Sequence, residues 1–451
     1  MAEIRQYLNA LLAGNKYPVT EDREQLLEKF ADDEANIQMI GEIEKLQKNI
    51  MASWELKARL SDIANKQIII PNGTVMKPYT FLLDLNALGL DDMREINLDG
   101  LRQYGLSYNP ETGQISGSPL TAGDFKLNLK FKLDTEDSAV YEKQVTLIIN
   151  ADPKSLWKNI PSTQEPGNYW KPDQAETFQQ LGQRHIVAAS KRGRSHANVG
   201  SFREDDFDFR YFEETGWSLV CVADGAGSAR LSREGSRLAC STVVEYFAKT
   251  LSSEDTKEPN EATRIFKHLP GAVHAAYQHI EQAAEAAGAT IKDFHTTLIF
   301  TLFKKFESGY ALLSFGVGDC PIGLIGKNNE EIKLLNWLDV GEFSGGTRFL
   351  TMPEIFSSDK FSSRFQMTLT DDFDYLMLMT DGIYDAKFVV EANLEKAAHW
   401  KAFIEDLNGE NADGAKVELD RSNSEIATQL SAWMDFWSPG NHDDRTLAII
   451  F

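Results

Sequence analysis

Four acidic clusters in this sequence sit where apolar runs begin or end. Arg203-Glu204-Asp205-Asp206 is the first. Val220-Cys221-Val222-Ala223 leads into Asp224-Gly225-Ala226-Gly227, and Leu376-Met377-Leu378-Met379 leads into Thr380-Asp381-Gly382. Asn441-His442-Asp443-Asp444-Arg445-Thr446 precedes the final apolar run. A single Asp-Gly after a strand is ordinarily a turn. Two strand–Asp–Gly elements with two further acidic clusters carry more weight. If the strands converge, four aspartates meet in one cleft, and their repulsion would be severe without cations. An all-oxygen donor set suits Mg²⁺ or Mn²⁺ rather than zinc. Glycine after aspartate also lets the backbone carbonyl approach a metal or a bridging water.

The elements that must position these residues lie in residues 183–451, which read as one α+β block. Strand-like runs cover 218–223, 297–302, 310–317, 375–379 and 446–451. Helix-like stretches cover 232–251, 270–287 and 426–437. Paired strands separated by long helical stretches imply antiparallel sheets flanked by helices, not a βαβ repeat. Residues 151–182 carry Pro153, Pro161, Pro166 and Pro172 with Trp157 and Trp170, and read as a packed-down linker. In residues 66–150 the period changes to two. Phe125, Leu127, Leu129, Phe131 and Leu133 alternate with Lys126, Asn128, Lys130 and Lys132, the pattern of a half-buried antiparallel strand. Residues 1–65 read as helical, with Thr20 as a cap and Ile37, Ile40, Ile43, Leu46, Ile50 and Trp54 at helical spacing. This segment is either a docking or dimerising hairpin or a small cap packed on the next domain.

The chain has 451 residues, with 46 Lys and Arg against 68 Asp and Glu, a net charge of −22. That field repels polyanions, so nucleic acid and anionic membrane are not expected partners. No apolar run approaches the ~18 residues of a membrane span. Cys221, Cys240 and Cys320 are odd in number and widely spaced, against a disulfide framework or a zinc knuckle. With no secretory signal at Met1-Ala2-Glu3-Ile4-Arg5, a reducing cytoplasm is the expected location.

In their order, these elements resemble the metal-dependent protein phosphatase 2C (PPM) family in its bacterial branch, over residues 183–451. The pieces are Ser195-His196-Ala197-Asn198-Val199-Gly200 leading to Glu204-Asp205, Asp224-Gly225-Ala226-Gly227-Ser228, Thr296-Thr297, Gly316-Val317-Gly318-Asp319-Cys320, Thr380-Asp381-Gly382 and Asp443-Asp444-Arg445-Thr446. The resemblance implies an α-β-β-α sandwich with a binuclear metal centre at one end. It implies that Asp205, Asp224, the Gly225 carbonyl, Asp381 and Asp443 are metal-site groups holding two Mn²⁺ or Mg²⁺ ions. Asp224 would bridge them, and Asp319 could serve a third ion. Asp224 and Asp381 would thereby be catalytic, a metal-activated water attacking phosphoserine or phosphothreonine on a protein. Residues 66–150 separately resemble bacterial immunoglobulin-like or cadherin-like modules, on the run Gly105-Leu106-Ser107-Tyr108 through Thr112-Gly113-Gln114-Ile115-Ser116-Gly117-Ser118-Pro119. That implies a small all-β sandwich without chemistry of its own.

The sequence departs from the phosphatase pattern in four places. Where many members carry a phosphate-binding arginine, this chain has Gly200, with Arg194 or His196 as candidate substitutes. Where some carry a proton-donating histidine, it has Ala226, so solvent or His196 would serve. Cys320 replaces a serine, and Asp444 an asparagine. Asp205 against Asp206, and Asp443 against Asp444, stay open as ligands. Ser344-Gly345-Gly346-Thr347-Arg348, within an irregular stretch over 339–363, reads as a flap whose Arg348 could meet phosphate. Arg230 and Arg233 are further phosphate candidates. The expected function is a serine/threonine protein phosphatase, with a phosphorylated protein as substrate and a cognate kinase as an implied partner. The alternative is a phosphopeptide-binding pseudophosphatase acting as a scaffold.

Overall fold

The structure is a computed structural model describing residues 2–135, 139–165, 169–251, 260–329, 331–339, 347–357 and 360–451. Contacts divide the chain into two units, Met1–Asp152 and Pro153–Phe451.

The first unit opens with helices α1 (Ala2–Gly14), α2 (Glu24–Ala31) and α3 (Glu34–Asn65). Leu8, Leu27, Ala31 and Ile40 give them a small core. Asp33 caps α3 by accepting the Ala35 and Asn36 N–H groups. Thr20 instead precedes a short 3₁₀ turn and caps no backbone N–H. Seven strands follow: β1 (Gly73–Thr74), β2 (Tyr79–Leu82), β3 (Met93–Asp99), β4 (Leu106–Asn109), β5 (Gln114–Gly117), β6 (Gly123–Leu133) and β7 (Tyr141–Asn150). They form two sheets, ordered β1-β7-β6-β3 and β2-β5-β4. Leu127, Leu129, Phe131 and Leu133 point inward from β6 and share one core with Ile115, Val145 and Leu147. The period-two reading of β6 therefore located the buried face.

The second unit contains β8 (Gln174–Leu181), β9 (Arg184–Lys191), α4 (Arg194–Val199), β10 (Asp206–Phe212), β11 (Trp217–Ala223), α5 (Ser232–Thr250), α6 (Glu261–Phe266) and α7 (Leu269–Ala286). It continues with β12 (Leu298–Phe306), β13 (Gly309–Val317), β14 (Ile322–Ile325), β15 (Ile332–Leu334), α8 (Glu354–Ser357), β16 (Phe365–Thr370) and β17 (Tyr375–Met379). Helices α9 (Asp381–Phe388), α10 (Ala397–Leu407) and α11 (Ile426–Trp433) precede the last strand, β18 (Arg445–Ile450). Two antiparallel sheets result, ordered β10-β11-β12-β13-β16 and β15-β14-β17-β18-β9-β8. Their facing sides share a core of Val220, Val222, Ile299, Leu312, Leu376, Leu378, Ala448 and Ile450. The outer side of the first sheet packs on α5 and α7 through Leu219, Val243, Phe247 and Val273. The outer side of the second packs on α9, α10 and α11 through Met377, Phe388, Trp400 and Trp433. The layers are α-β-β-α.

One boundary needs correction. Residues 174–181, expected in the linker, are strand β8, paired with β9 from Gln174↔Lys191 to Leu181↔Arg184. The Gln-Ala-Glu-Thr-Phe-Gln-Gln-Leu run is a polar edge strand with one neighbour. It therefore lacks the apolar signature that marked the inner strands.

Antiparallel pairing gathers alternate strand ends at one pole. In the first sheet, Asp206↔Ala223 and Leu298↔Val317 bring the starts of β10 and β12 beside the ends of β11 and β13. In the second, Ile322↔Leu378, Met379↔Leu447 and Arg445↔Lys191 do the same for β14, β17, β18 and β9. The 192–205 and 318–321 connections join the two sheets at this pole. All four acidic clusters belong to it.

Candidate active site

The aspartates converge. Asp205, just before β10, is buried, and its Oδ2 accepts the Thr380 hydroxyl and lies beside the Thr446 hydroxyl, each at 2.8 Å. Asp224 follows β11. Its backbone is fixed by Thr296 and Thr297, which bond to its carbonyl at 2.9 and 2.8 Å. Asp381 opens α9, and its carboxyl lies near that of Asp224. Asp319 follows β13; Thr347 donates to its Oδ2 at 2.6 Å, while its Oδ1 is buried without a partner. Oxygens of Asp224 and Asp319 lie within 4.8 Å of one another, as do ligand atoms of His196, Asp443 and Asp444.

The electrostatics follow from this crowding. Burial, then Asp381, Asp205, Asp443 and Asp319, drive Asp224 well above the usual carboxyl range. Burial, then Asp319, Asp443 and Asp205, do the same to Asp381. Asp205 is pushed up to about 8 by burial and by Asp444 and Asp443. Asp319 and Asp443 are raised, by the protein packed around them and by neighbouring acids, Asp339 for the half-buried Asp319 and Asp444 for Asp443, whose own side chain is exposed. Carboxyls that must hold protons to coexist are a site that divalent cations would complete. The five aspartates offer oxygen alone, Asp319 keeps an unused one, and the Cys320 sulfur lies within 4.8 Å of the Asp224 and Asp319 oxygens. These residues fit Mg²⁺ or Mn²⁺.

The members of the two acidic pairs have different partners. Asp206 is salt-bridged to Lys171 at 3.0 Å and lies 3.8 Å from Arg203. Asp205 carries the exchange with the other acids. Asp444 has both oxygens engaged: Oδ1 accepts the Gly193 N–H at 2.6 Å and His196 Nδ1 at 3.1 Å, and Oδ2 accepts the Glu204 N–H. Asp443 is left to face the cluster. Close approach keeps two glycines here. A Cβ on Gly225 would lie 2.6 Å from the Glu204 carbonyl oxygen, and one on Gly382 would lie 1.9 Å from that of Asp444.

His196 sits on α4. Burial opposes its charge, but the Asp444 carboxylate outweighs burial and lifts it to about 9. Glu204 beside it is raised to about 7, chiefly by burial. Arg194 is not brought into the cluster. Its guanidinium donates to the carbonyls of Phe436 and Asp435 just after α11 and lies over the Trp437 ring. Arg445 serves the same segment, donating to Met434 and Phe436. Both arginines meet the carbonyl-rich end of a helix, a favourable place for cations. The guanidinium of Arg194, expected as a phosphate ligand, is occupied by these carbonyls. Of the expected flap, 340–346 and 358–359 lie outside the described residues. Leu350 and Ile355 beyond them are buried in the outer core. Arg348 is exposed and directly follows Thr347, which holds Asp319.

Sequence reasoning missed three supports. Thr380 and Thr446 lie in two of the motifs, yet their hydroxyls had no assigned role. The third is Lys171, buried in a stretch read as linker. Its Nζ reaches the Asp205 carbonyl at 2.7 Å, Asp206 Oδ2 at 3.0 Å, the Arg233 carbonyl at 3.2 Å, Ser236 Oγ at 3.3 Å and the Glu204 carbonyl at 3.4 Å. It ties the loop bearing Asp205 to the first turn of α5. A lone lysine among prolines gives no sequence signal for this.

The model of the protein phosphatase 2C family matches residues 192–433, just over half the chain. The chain belongs to the protein phosphatase 2C family. Its second unit has that family's fold. Solved structures similar to it include a bacterial serine phosphatase, at 16% identity and TM-score 0.37, covering 59% of this chain and 96% of that one. Another is the catalytic domain of the serine threonine protein phosphatase PstP in complex with two manganese ions, at 19% identity and TM-score 0.36, with 59% and 96% covered. A third is the serine/threonine phosphatase Stp1 from Staphylococcus aureus, at 14% identity and TM-score 0.35, with 64% and 96% covered. A search of curated proteins gave no match. Among the described residues no helix is long and apolar enough to cross a membrane.

Proposed function

We propose that this chain is a metal-dependent phosphatase acting on phosphoserine and phosphothreonine in proteins. The observation that carries the reading is the convergence of Asp205, Asp224, Asp319, Asp381 and Asp443 at one pole, with every one of these carboxyls raised. Asp205, Asp224, Asp381 and Asp443, with the Gly225 carbonyl, would hold two Mn²⁺ or Mg²⁺ ions, and Asp319 a third. When bound, such ions supply an activated water and a positive clamp for the phosphoryl group. The chain's own groups do the rest. Thr380 and Thr446 hold Asp205 in place. Asp444 fixes the Nδ1 side of His196, whose ring is then oriented to deliver a proton to the departing serine or threonine oxygen. Arg348, next to Thr347, supplies the cation for substrate phosphate that Gly200 cannot. A kinase that phosphorylates the same target is the partner class this reading implies.

For the N-terminal sandwich we propose the immunoglobulin-like reading. Its sheets β2-β5-β4 and β3-β6-β7 correspond to the B-E-D and C-F-G strand orders of that fold.

Turnover of a phosphothreonine peptide with Mn²⁺, with Mg²⁺ and with EDTA tests the enzyme reading, beside Asp224→Asn and Asp381→Asn. Metal-dependent release lost in both variants is the expected result. The rival reading, a phosphopeptide-binding pseudophosphatase, draws on Arg194 being turned to the Asp435 and Phe436 carbonyls. Peptide binding without release, in a folded and metal-loaded wild type, would decide for it.

A further inference from the structure

Helix α3 is 32 residues long, and its only buried residues are Ile40 and Ile63. Ile40 packs with Leu8, Leu27 and Ala31, and Ile63 packs in the sandwich core. Between these anchors the helix crosses about six turns with nothing buried. Such a bridge is expected to be polar all round, and unpacked helix is marginal in water. This one is not polar. Met39, Leu46, Ile50 and Trp54 are 52%, 61%, 68% and 68% exposed, and with half-buried Ile43 they run at spacings of four, three, four and four. That is one continuous stripe on a helix.

We propose that the stripe is the seam of a parallel homodimer, covered by α3 of a second copy of this chain. The spacing is that of a heptad seam with Ile43 and Ile50 at the first apolar position and Met39 and Leu46 at the second. β-Branched residues at the first and leucine-like residues at the second favour two parallel strands. The flanking positions agree. Across a parallel seam Glu42 of one copy meets Gln47 of the other, and Asn49 meets Trp54, so no like charges oppose. The area is sufficient. At roughly 100 Å² uncovered per side chain, five side chains offer on the order of 500 Å² per copy, or about 1,000 Å² for the pair. The aliphatic stems beside them bring this toward the ~1,200 Å² at which specific interfaces begin. Glu44, Lys48 and Glu55 lie off the stripe and keep that side soluble.

The test is the mass of the full chain by sedimentation over a range of concentrations. Wild type is expected at twice the chain mass. Leu46→Glu with Ile50→Glu is expected to be monomeric, its self-association weakened by at least about a hundredfold. Lys48→Glu, off the seam, is expected to stay dimeric. Because charged seam variants could also unfold the helix, a second variant keeps the helix intact. Ile50→Cys is expected to form a disulfide between two copies under mild oxidation, whereas Lys48→Cys is not. Cys221, Cys240 and Cys320 are buried and do not interfere. A wild type that is monomeric at every concentration, or a Leu46→Glu/Ile50→Glu chain that stays dimeric, overturns the proposal. Equal cross-linking at positions 48 and 50 overturns the seam.

Discussion

Replacing Lys171 by methionine asks whether the acid cluster depends on a residue outside the family-matched stretch. The ammonium has three donors and five acceptors within reach. Burial lowers its pKa and Asp206 opposes that. Burial alone would raise Asp206, but Lys171 and Arg203 outweigh it and hold it low. The two groups are held 3.0 Å apart as a buried ion pair. Lys171→Met leaves Asp206 buried with Arg203 at 3.8 Å and strips the Asp205 and Arg233 carbonyls of a donor. Breaking such a pair from one side costs about 3–5 kcal/mol. At roughly 2–4 °C per kcal/mol for a unit of this size or a little smaller, the melting midpoint should fall by about 10 °C. Every tryptophan except Trp54 lies in the second unit, so tryptophan fluorescence follows the right transition. The double variant Lys171→Met/Asp206→Asn should recover at least half of the loss, because position 206 no longer carries a charge without its ammonium and Arg203 keeps its bonds to Ser190 and to the Pro172 and Asp205 carbonyls. Metal affinity separates position from charge. Removing a cation beside an acid cluster would by Coulomb's law strengthen Mn²⁺ binding. Loosening the loop under Asp205 would weaken it by about 10–100-fold, the usual cost of disturbing a ligand's support. The charge-balanced double variant should bind Mn²⁺ about tenfold more weakly by calorimetry. A loss below about 1 kcal/mol in Lys171→Met, or unchanged Mn²⁺ affinity in the double variant, would refute the reasoning.

Three further outcomes follow from the same geometry. Arg194→Ala should destabilise the fold by about 1–3 kcal/mol for two charge-assisted hydrogen bonds, lowering the unfolding midpoint, and leave KM for a phosphopeptide unchanged. Arg348→Ala should do the reverse, and steady-state kinetics with thermal melts read both. Gly382→Ala places a Cβ 1.9 Å from the Asp444 carbonyl, so the 443–444 turn must move; Mn²⁺ affinity by calorimetry should drop more than about tenfold. In EDTA, stability should fall as pH rises from about 4, the unfolded value, toward about 8, the folded value of Asp205. The sign follows because the folded state binds more protons across that window. Asp224 and Asp381 act in the same direction, and saturating Mn²⁺ should abolish the decline in melting midpoint.

The carboxylates were legible in the sequence for a physical reason. Asp224 and Asp381 end strands buried on both faces, which read as unbroken apolar runs. Each is followed by a glycine that nothing larger could replace. The choice within each acidic pair was not legible. Asp205 and Asp206 are neighbours on opposite sides of a strand start, and what distinguishes them is Thr380 and Thr446 against Lys171. Those partners are distant in sequence, and no local pattern announces them. Strand β10 was missed although Phe207 and Phe209 alternate with Asp206, Asp208 and Arg210. Only one side of it faces the inner core, and the acidic residues read as a site rather than as a strand face.

The supports and the ligands have different origins along the chain, and this bears on where the catalytic unit begins. The family match starts at residue 192. Lys171, which holds the backbone of Asp205, lies before it, and so does Asp173, whose Oδ2 lies 3.1 Å from Arg192. Arg192 in turn donates to Asn159 and to the Ile160 carbonyl, and the Ile160 N–H donates to Ala197 on α4 beside His196. Residues 158–173 are thus bonded to both the loop of Asp205 and the helix of His196. A chain begun at residue 192 and kept to its end would retain every carboxylate and lose the groups that fix two of the site's residues. The compact unit begins at Pro153, and the bonds around the site give the same answer as the contacts: the proline-rich stretch read as a linker belongs to the unit with the phosphatase 2C fold.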